Sequence, residues 1–231
     1  MAVCPFAIKK LIAPGSNDPR IPPRLVILHV DAGNAWSLFK FFKYRSGGIE
    51  SHFHIRNDGE IEQYRDTDWQ ADANHLANDF AISIETQGFG FGKWNAKQLA
   101  SIKRLLLWIN EVHPAVELRT PTAWNGTGVG YHIQMGTPGK WTPVSKSCPG
   151  PERIKQYNND IVPWLKAGAE SEDELLTPQD FWTYQIPIAK GKRAAAQLVL
   201  RWARNDAARS LSELRDVRRR LRKLERSIEG K

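Results

Sequence analysis

"RLVILHV", Arg24 to Val30, is an unbroken apolar run rich in branched side chains, entered through Pro22-Pro23. A run of this length and composition behind a proline pair reads as a buried strand. Working outward, "HFHIRNDGEIEQY" (His52 to Tyr64) reads as two short strands around the hairpin turn signal Asn57-Asp58-Gly59. "FAISIET" (Phe80 to Thr86) alternates, with Ile82 and Ile84 on one face and Ser83 and Glu85 on the other. These runs read as strands of one sheet. Asn95 followed by Gln98 resembles a capping box, and Leu99, Ile102, Leu106 and Ile109 then recur at helical spacing until His113-Pro114 ends the run. Further helices are expected at Trp36 to Tyr44 and at Pro151 to Leu165, the latter interrupted by Pro163. Between the helices, Thr120 to Pro149 is rich in Gly, Pro, Thr and Trp, and a loop that long inside a domain is usually functional.

With 231 residues, 41% hydrophobic and 25% charged, the chain can bury a sizeable core. Two cysteines, Cys4 and Cys148, cannot make a disulfide framework. The start "MAVCPFAIKK" has no apolar stretch of signal-peptide length, so a reducing cytoplasm is the expected compartment. No run approaches the roughly 18 apolar residues of a membrane span. The net charge of +8 favours an anionic partner, and most of the excess lies beyond residue 165.

Past Ala167 the composition changes. "AGAESEDELL" reads as an acidic hinge, and Ala194 to Ile228 reads as one long helix. Leu214, Val217, Leu221, Leu224 and Ile228 close a heptad stripe flanked by Arg218-Arg219-Arg220 and Arg222-Lys223. The expected division is 1–168 as one domain and 169–231 as a basic helical tail, either a coiled coil or a targeting module.

A zinc enzyme needs three protein ligands and an open position, with His, Cys and carboxylates as donors. The six histidines are His29, His52, His54, His75, His113 and His132, and no His-Glu-x-x-His or paired Cys-x-x-Cys occurs, so spacing alone nominates no site. His29 ends the apolar strand on the face of Leu25 and Ile27, either as a satisfied strand-end ring or as a functional one. His132 lies in "GVGYHIQMG", whose glycines let backbone approach a ligand. Cys148 in "VSKSCPGP" is either a small hydrophobe or a thiolate favoured by Lys146. His52 and His54 form a His-x-His on one strand face, a rival metal site. Glu85 is a solvated strand residue, or a general base if its face lines a cleft.

Three stretches together, "LVILHVDAG", "SHFHIRNDGEIEQYRDTDW" through "NDFAISIETQG", and "GVGYHIQMG" through "KSCPGP", resemble the type-2 N-acetylmuramoyl-L-alanine amidase family, which includes phage endolysins and is similar to peptidoglycan recognition proteins. The resemblance runs over residues 20 to 165. It implies an α/β fold, a central mixed β-sheet flanked by helices, here followed by a C-terminal α-helical segment. Carried over by position, it implies that His29, His132 and Cys148 bind Zn2+, that Glu85 is the base, and that Lys146 supports the developing oxyanion. Many relatives have Asp where this chain has Cys148. The family often has Trp-His before the glutamate strand, where this chain reads "QADANHLAN", and Asn74 and His75 are the substrate-binding residues taken from that stretch.

The implied reaction is hydrolysis of the amide between N-acetylmuramic acid and L-alanine in bacterial peptidoglycan, by a phage or prophage endolysin. The alternative on the same fold is a non-catalytic peptidoglycan-recognition module. The implied partner is peptidoglycan, without nucleic acid and without stable membrane insertion, and the tail helix could pair two copies into a homo-oligomer. An endolysin would stay in the host cytoplasm until released to the cell wall.

Overall fold

The structure is a computed structural model that describes residues 2–14, 18–44 and 51–167. The run that opens the reading becomes β2 (Leu25–Leu28), all four residues buried. Around it lie β1 (Ile8–Lys9), β3 (Phe53–Ile55), β4 (Ile61–Gln63), β5 (Ala81–Thr86) and β6 (Gly128–Tyr131) in one mixed sheet of order β1-β4-β3-β5-β2-β6. The β3–β4 hairpin is antiparallel, while β3–β5, β5–β2 and β2–β6 are parallel. This is the expected α/β architecture.

Strand alternation decides what each face buries. Val26, Leu28, Ile82 and Ile84 turn to one side, where Ile102, Leu105, Leu106 and Ile109 of α2 (Ala96–Val112) cover them. Each such side chain taken from water contributes about 1.5–3 kcal/mol. The Asn95 capping box forms in both directions, fixing where α2 starts. On the opposite side Leu25 and Ile27 pack with Ala81, Phe80 and the fully buried Trp141. Gly130 makes that packing possible, because a Cβ there would stand 2.9 Å from the Trp141 ring.

Two helices differ from the sequence reading. The first, α1, spans only Phe39–Tyr44 and leaves Trp36 in a loop. The Asp31 carboxylate accepts from the backbone N–H groups of Gly33, Asn34 and Ala35, and Ala32 and Asn34 have positive φ, so the chain turns before it can wind. The last helical stretch runs as α3 (Pro151–Gln156), a wide π turn (Tyr157–Ile161) and α4 (Val162–Lys166). The break therefore precedes Pro163 and contains Asn159, four residues upstream, whose carbonyl the proline ring would meet in a regular helix.

Among the described residues no helix is long and apolar enough to cross a membrane. The acidic hinge, the basic helix over 194–228, its heptad stripe and the 168/169 boundary lie outside the described residues.

Candidate metal centre

Three parallel strands end at one edge of the sheet, and the carboxyl end of parallel strands is where such folds present ligands. The register pairs Leu28 with both Ile84 and Tyr131, so the next residues, His29 and His132 just past their strands and Glu85 near the end of β5, come together at this edge. The His29 and His132 rings lie 4.3 Å apart between centroids. Cys148 reaches them from the long loop and is held there by the Val30 N–H, which donates to Sγ at 3.3 Å.

The hydrogen bonds fix which nitrogen each ring offers. The Trp141 carbonyl can only accept, so His132 donates Nε2–H to it at 3.1 Å. The opposite nitrogen, Nδ1, is buried and has no protein partner. His29 likewise donates Nε2–H to Asn74 Oδ1 at 2.8 Å, and its Nδ1 faces Cys148 Sγ at 3.8 Å. Burial favours the neutral form of both rings, and with the proton on Nε2 the lone pair of each sits on Nδ1. One ring nitrogen of each histidine and the Cys148 Sγ lie within 4.8 Å of one another. A tetrahedral ion with Zn–N about 2.0–2.1 Å and Zn–S about 2.3 Å separates such an N and S by about 3.6 Å, close to the spacing here. The residues fit a zinc-type centre, and the two acceptors behind the rings are the supports that metal-binding histidines require.

Burial governs the electrostatics. It pushes the His29 ring well below its ordinary value, with the His132 ring adding to the effect, and takes His132 down to about 4. Lys146 contributes in the same direction to both. Burial, then the Glu85 charge, pushes the Cys148 thiol up to about 12. The sequence reading expected Lys146 to favour the thiolate; it does pull that way, but desolvation outweighs it. A cation in the site reverses the balance, because a coordinating thiol is deprotonated outright.

Glu85 Oε1 stands 4.0 Å from His29 Nδ1, its side chain 15% exposed. Glu85 and the exposed Lys146 line one cleft of about 380 Å³ with His29, His132 and Cys148. Asn74 is elsewhere. It is fully buried behind His29, which corrects its expected place on the substrate side: it has no surface to offer a ligand. His75 is exposed but outside the residues that line the cleft.

The rival His-x-His does not assemble. His52 Nδ1 accepts from the Ser83 N–H, and its Nε2 faces the Trp69 carbonyl at 2.8 Å. His54 Nε2 meets Asp31 Oδ2 at 3.3 Å, both side chains fully buried. Sequence reasoning missed this Asp31–His54 pair and the Trp141 carbonyl. The first had a faint signal, an Asp two residues after the strand-end histidine; the second is backbone and had none.

A family model described as N-acetylmuramoyl-L-alanine amidase, Amidase_2, matches residues 19–151. The chain belongs to that family. The match reaches from just before β2 to the start of α3 and takes in all three donors, Glu85 and Lys146. No curated protein matches the chain. Among solved structures, the N-acetylmuramoyl-L-alanine amidase LysC from Clostridium intestinale URNW is similar at 18% identity and TM-score 0.50, covering 71% of this chain and 99% of its own. Drosophila peptidoglycan recognition protein SA is similar at 15% identity and TM-score 0.51, covering 67% and 92%. Peptidoglycan recognition protein LE, solved in complex with tracheal cytotoxin, a monomeric diaminopimelic acid-type peptidoglycan, gives 15%, 0.50, 67% and 93%. At these identities the likeness shows a shared amidase and recognition-protein fold.

Proposed function

We propose that the chain is a zinc-dependent N-acetylmuramoyl-L-alanine amidase, with His29, His132 and Cys148 as ligands, Glu85 as general base and Lys146 as oxyanion support. The observation that carries this is the pair of imidazoles that spend Nε2–H on neighbours, one with its Nδ1 against the Cys148 thiol and the other with an Nδ1 that has no protein partner. The substrate follows from the family: the amide between the lactyl group of N-acetylmuramic acid and L-alanine.

A bound zinc ion supplies Lewis acidity and lowers the pKa of water towards about 7. The protein's own groups do the rest. Glu85 takes a proton from the attacking water on a carboxylate oxygen and delivers it to the departing L-alanyl nitrogen. Lys146, at the cleft rim, places positive charge where the carbonyl oxygen becomes anionic. Asn74 and the Trp141 carbonyl hold the two rings in the tautomer that ligation needs. As a phage or prophage endolysin, the protein would act on the wall after release from the host cytoplasm.

The recognition-protein likeness, as good as that to LysC, supports a second reading in which peptidoglycan is bound and left intact. Incubating purified wall with the full chain and assaying free L-alanyl peptides separates them. Release that falls about 10²–10⁴-fold in Glu85→Gln, with zinc content unchanged, is expected of the enzyme. Binding without release selects the recognition module, and full turnover by Glu85→Gln removes Glu85 from its role.

A further inference from the structure

β5 is followed by "QGFGFG", Gln87 to Gly92, a stretch with no charged side chain and three glycines, yet the structure holds it firmly. The Phe89 carbonyl accepts from Arg153 Nη1 at 2.7 Å, and Arg153 is 2% exposed. Gly88 donates its N–H to Asp31 Oδ1 at 3.1 Å. Gly150 lies in the left-handed region, and a Cβ there would stand 2.2 Å from the Gly90 carbonyl, so the loop is seated directly on the Cys148 segment. What this scaffold presents is apolar. Phe89 and Phe91 stack with centroids 5.4 Å apart and planes 9° from parallel, and they are 46% and 74% exposed. Gly90, between them, lines the same cleft as His29, His132 and Cys148.

Phe89 occupies one face of the Phe91 ring, and the exposure of Phe91 places its other face in water. A flat, uncharged, pre-positioned phenyl face attracts the partly positive C–H groups of a pyranose ring through its negative quadrupole. The anionic groups of a peptide gain nothing from it. We propose that Phe91, stiffened by Phe89, is a saccharide platform at the mouth of the cleft that takes a β-1,4-linked N-acetylhexosamine of the glycan strand. This deepens the amidase reading and rests on it for the identity of the substrate: the bond in the cleft joins a sugar to a peptide, so glycan must leave the cleft across its rim.

The test uses the full chain in two arms. In the first, kcat/KM is measured on muramoyl dipeptide, with one sugar, and on a stem peptide carried by four alternating sugars. The ratio favouring the longer glycan is expected to fall about tenfold in Phe91→Ala and to persist in Phe91→Trp; an unchanged ratio in Phe91→Ala overturns the platform. Phe41→Ala, a change at another exposed phenyl, serves as the control with an unaltered ratio. In the second arm, binding of chitotetraose is followed by NMR on metal-free protein, where no bond is cut. Binding that weakens about tenfold in Phe91→Ala supports the inference. Equal affinity, or no binding by the unaltered chain, overturns it. Should the unaltered chain cleave neither substrate, the amidase reading falls, and the chitotetraose arm alone decides the platform.

Discussion

His29 and His52 stand on the same face of the same sheet, just past β2 and just before β3, and both are buried to within 2%. They differ in what the second nitrogen meets. His52 has a partner at each nitrogen, the Ser83 N–H and the Trp69 carbonyl, and so is finished as a structural ring. His29 has Asn74 at Nε2, while its Nδ1 looks across to Cys148 Sγ and the His132 ring. Equal burial of the same residue type thus leaves one ring closed off by backbone and the other facing a candidate donor set. What separates them is what the second nitrogen meets, a backbone N–H at His52 and a thiol at His29.

The largest effect that would break this contrast is at the ligand set. Cys148→Ala or His132→Ala should lose bound zinc, because two donors cannot close the coordination that three complete. Replacing His52 and His54 together should leave the zinc content at one per chain in whatever protein folds. Metal analysis of the purified variants decides it, and zinc retained by Cys148→Ala would put the ion somewhere else.

The next effect belongs to the structural ring and appears as a pH dependence. Burial lowers the His52 pKa from 6.5 to about 4 in the folded chain. Between those values the unfolded chain binds a proton that the folded chain refuses, so stability rises with pH there. The contribution is complete above pH 6.5 and is lost as the pH falls towards 4, amounting to about 3 kcal/mol. Urea unfolding with chelator present, at pH 7.5 and at pH 4.5, should show a smaller difference for His52→Gln than for the unaltered chain. An identical difference would mean that this ring does not carry the acid sensitivity.

The strands were legible because a buried run and an alternating run need only local pattern, and the α2 start because its capping box is complete within four residues. β1 and β6 were not: two exposed residues at a sheet edge have no period to read, and Gly128–Tyr131 lies inside the Gly- and Pro-rich stretch read as a loop. The late start of α1 depends on the Asp31 carboxylate, whose preference for three backbone N–H groups over solvent is a tertiary outcome. At the site, resemblance brought out the residues that meet, while their spacing in the chain was silent, since only the β2–β5–β6 register brings them together. The direction of the Cys148 shift could not be read either. Lys146 is visible two residues away, but the desolvation that opposes it comes from the packing of a whole loop.

Asn74 offers the finest division, since resemblance and geometry make different statements about it. A substrate contact would be exposed to the cleft; this side chain is fully buried, with Oδ1 on His29 Nε2 and with its backbone N–H donating to Asn78 Oδ1 at 2.6 Å ahead of the short turn His75–Ala77. A group that orients a ligand ring typically changes metal affinity about 10–100-fold when removed. Asn74→Ala should therefore weaken zinc binding by about that factor in a competition titration, while KM, measured with the metal site saturated, stays near that of the unaltered chain. A raised KM with unchanged zinc affinity would return Asn74 to the substrate side. It would also mean that His29 keeps its tautomer without the Asn74 acceptor.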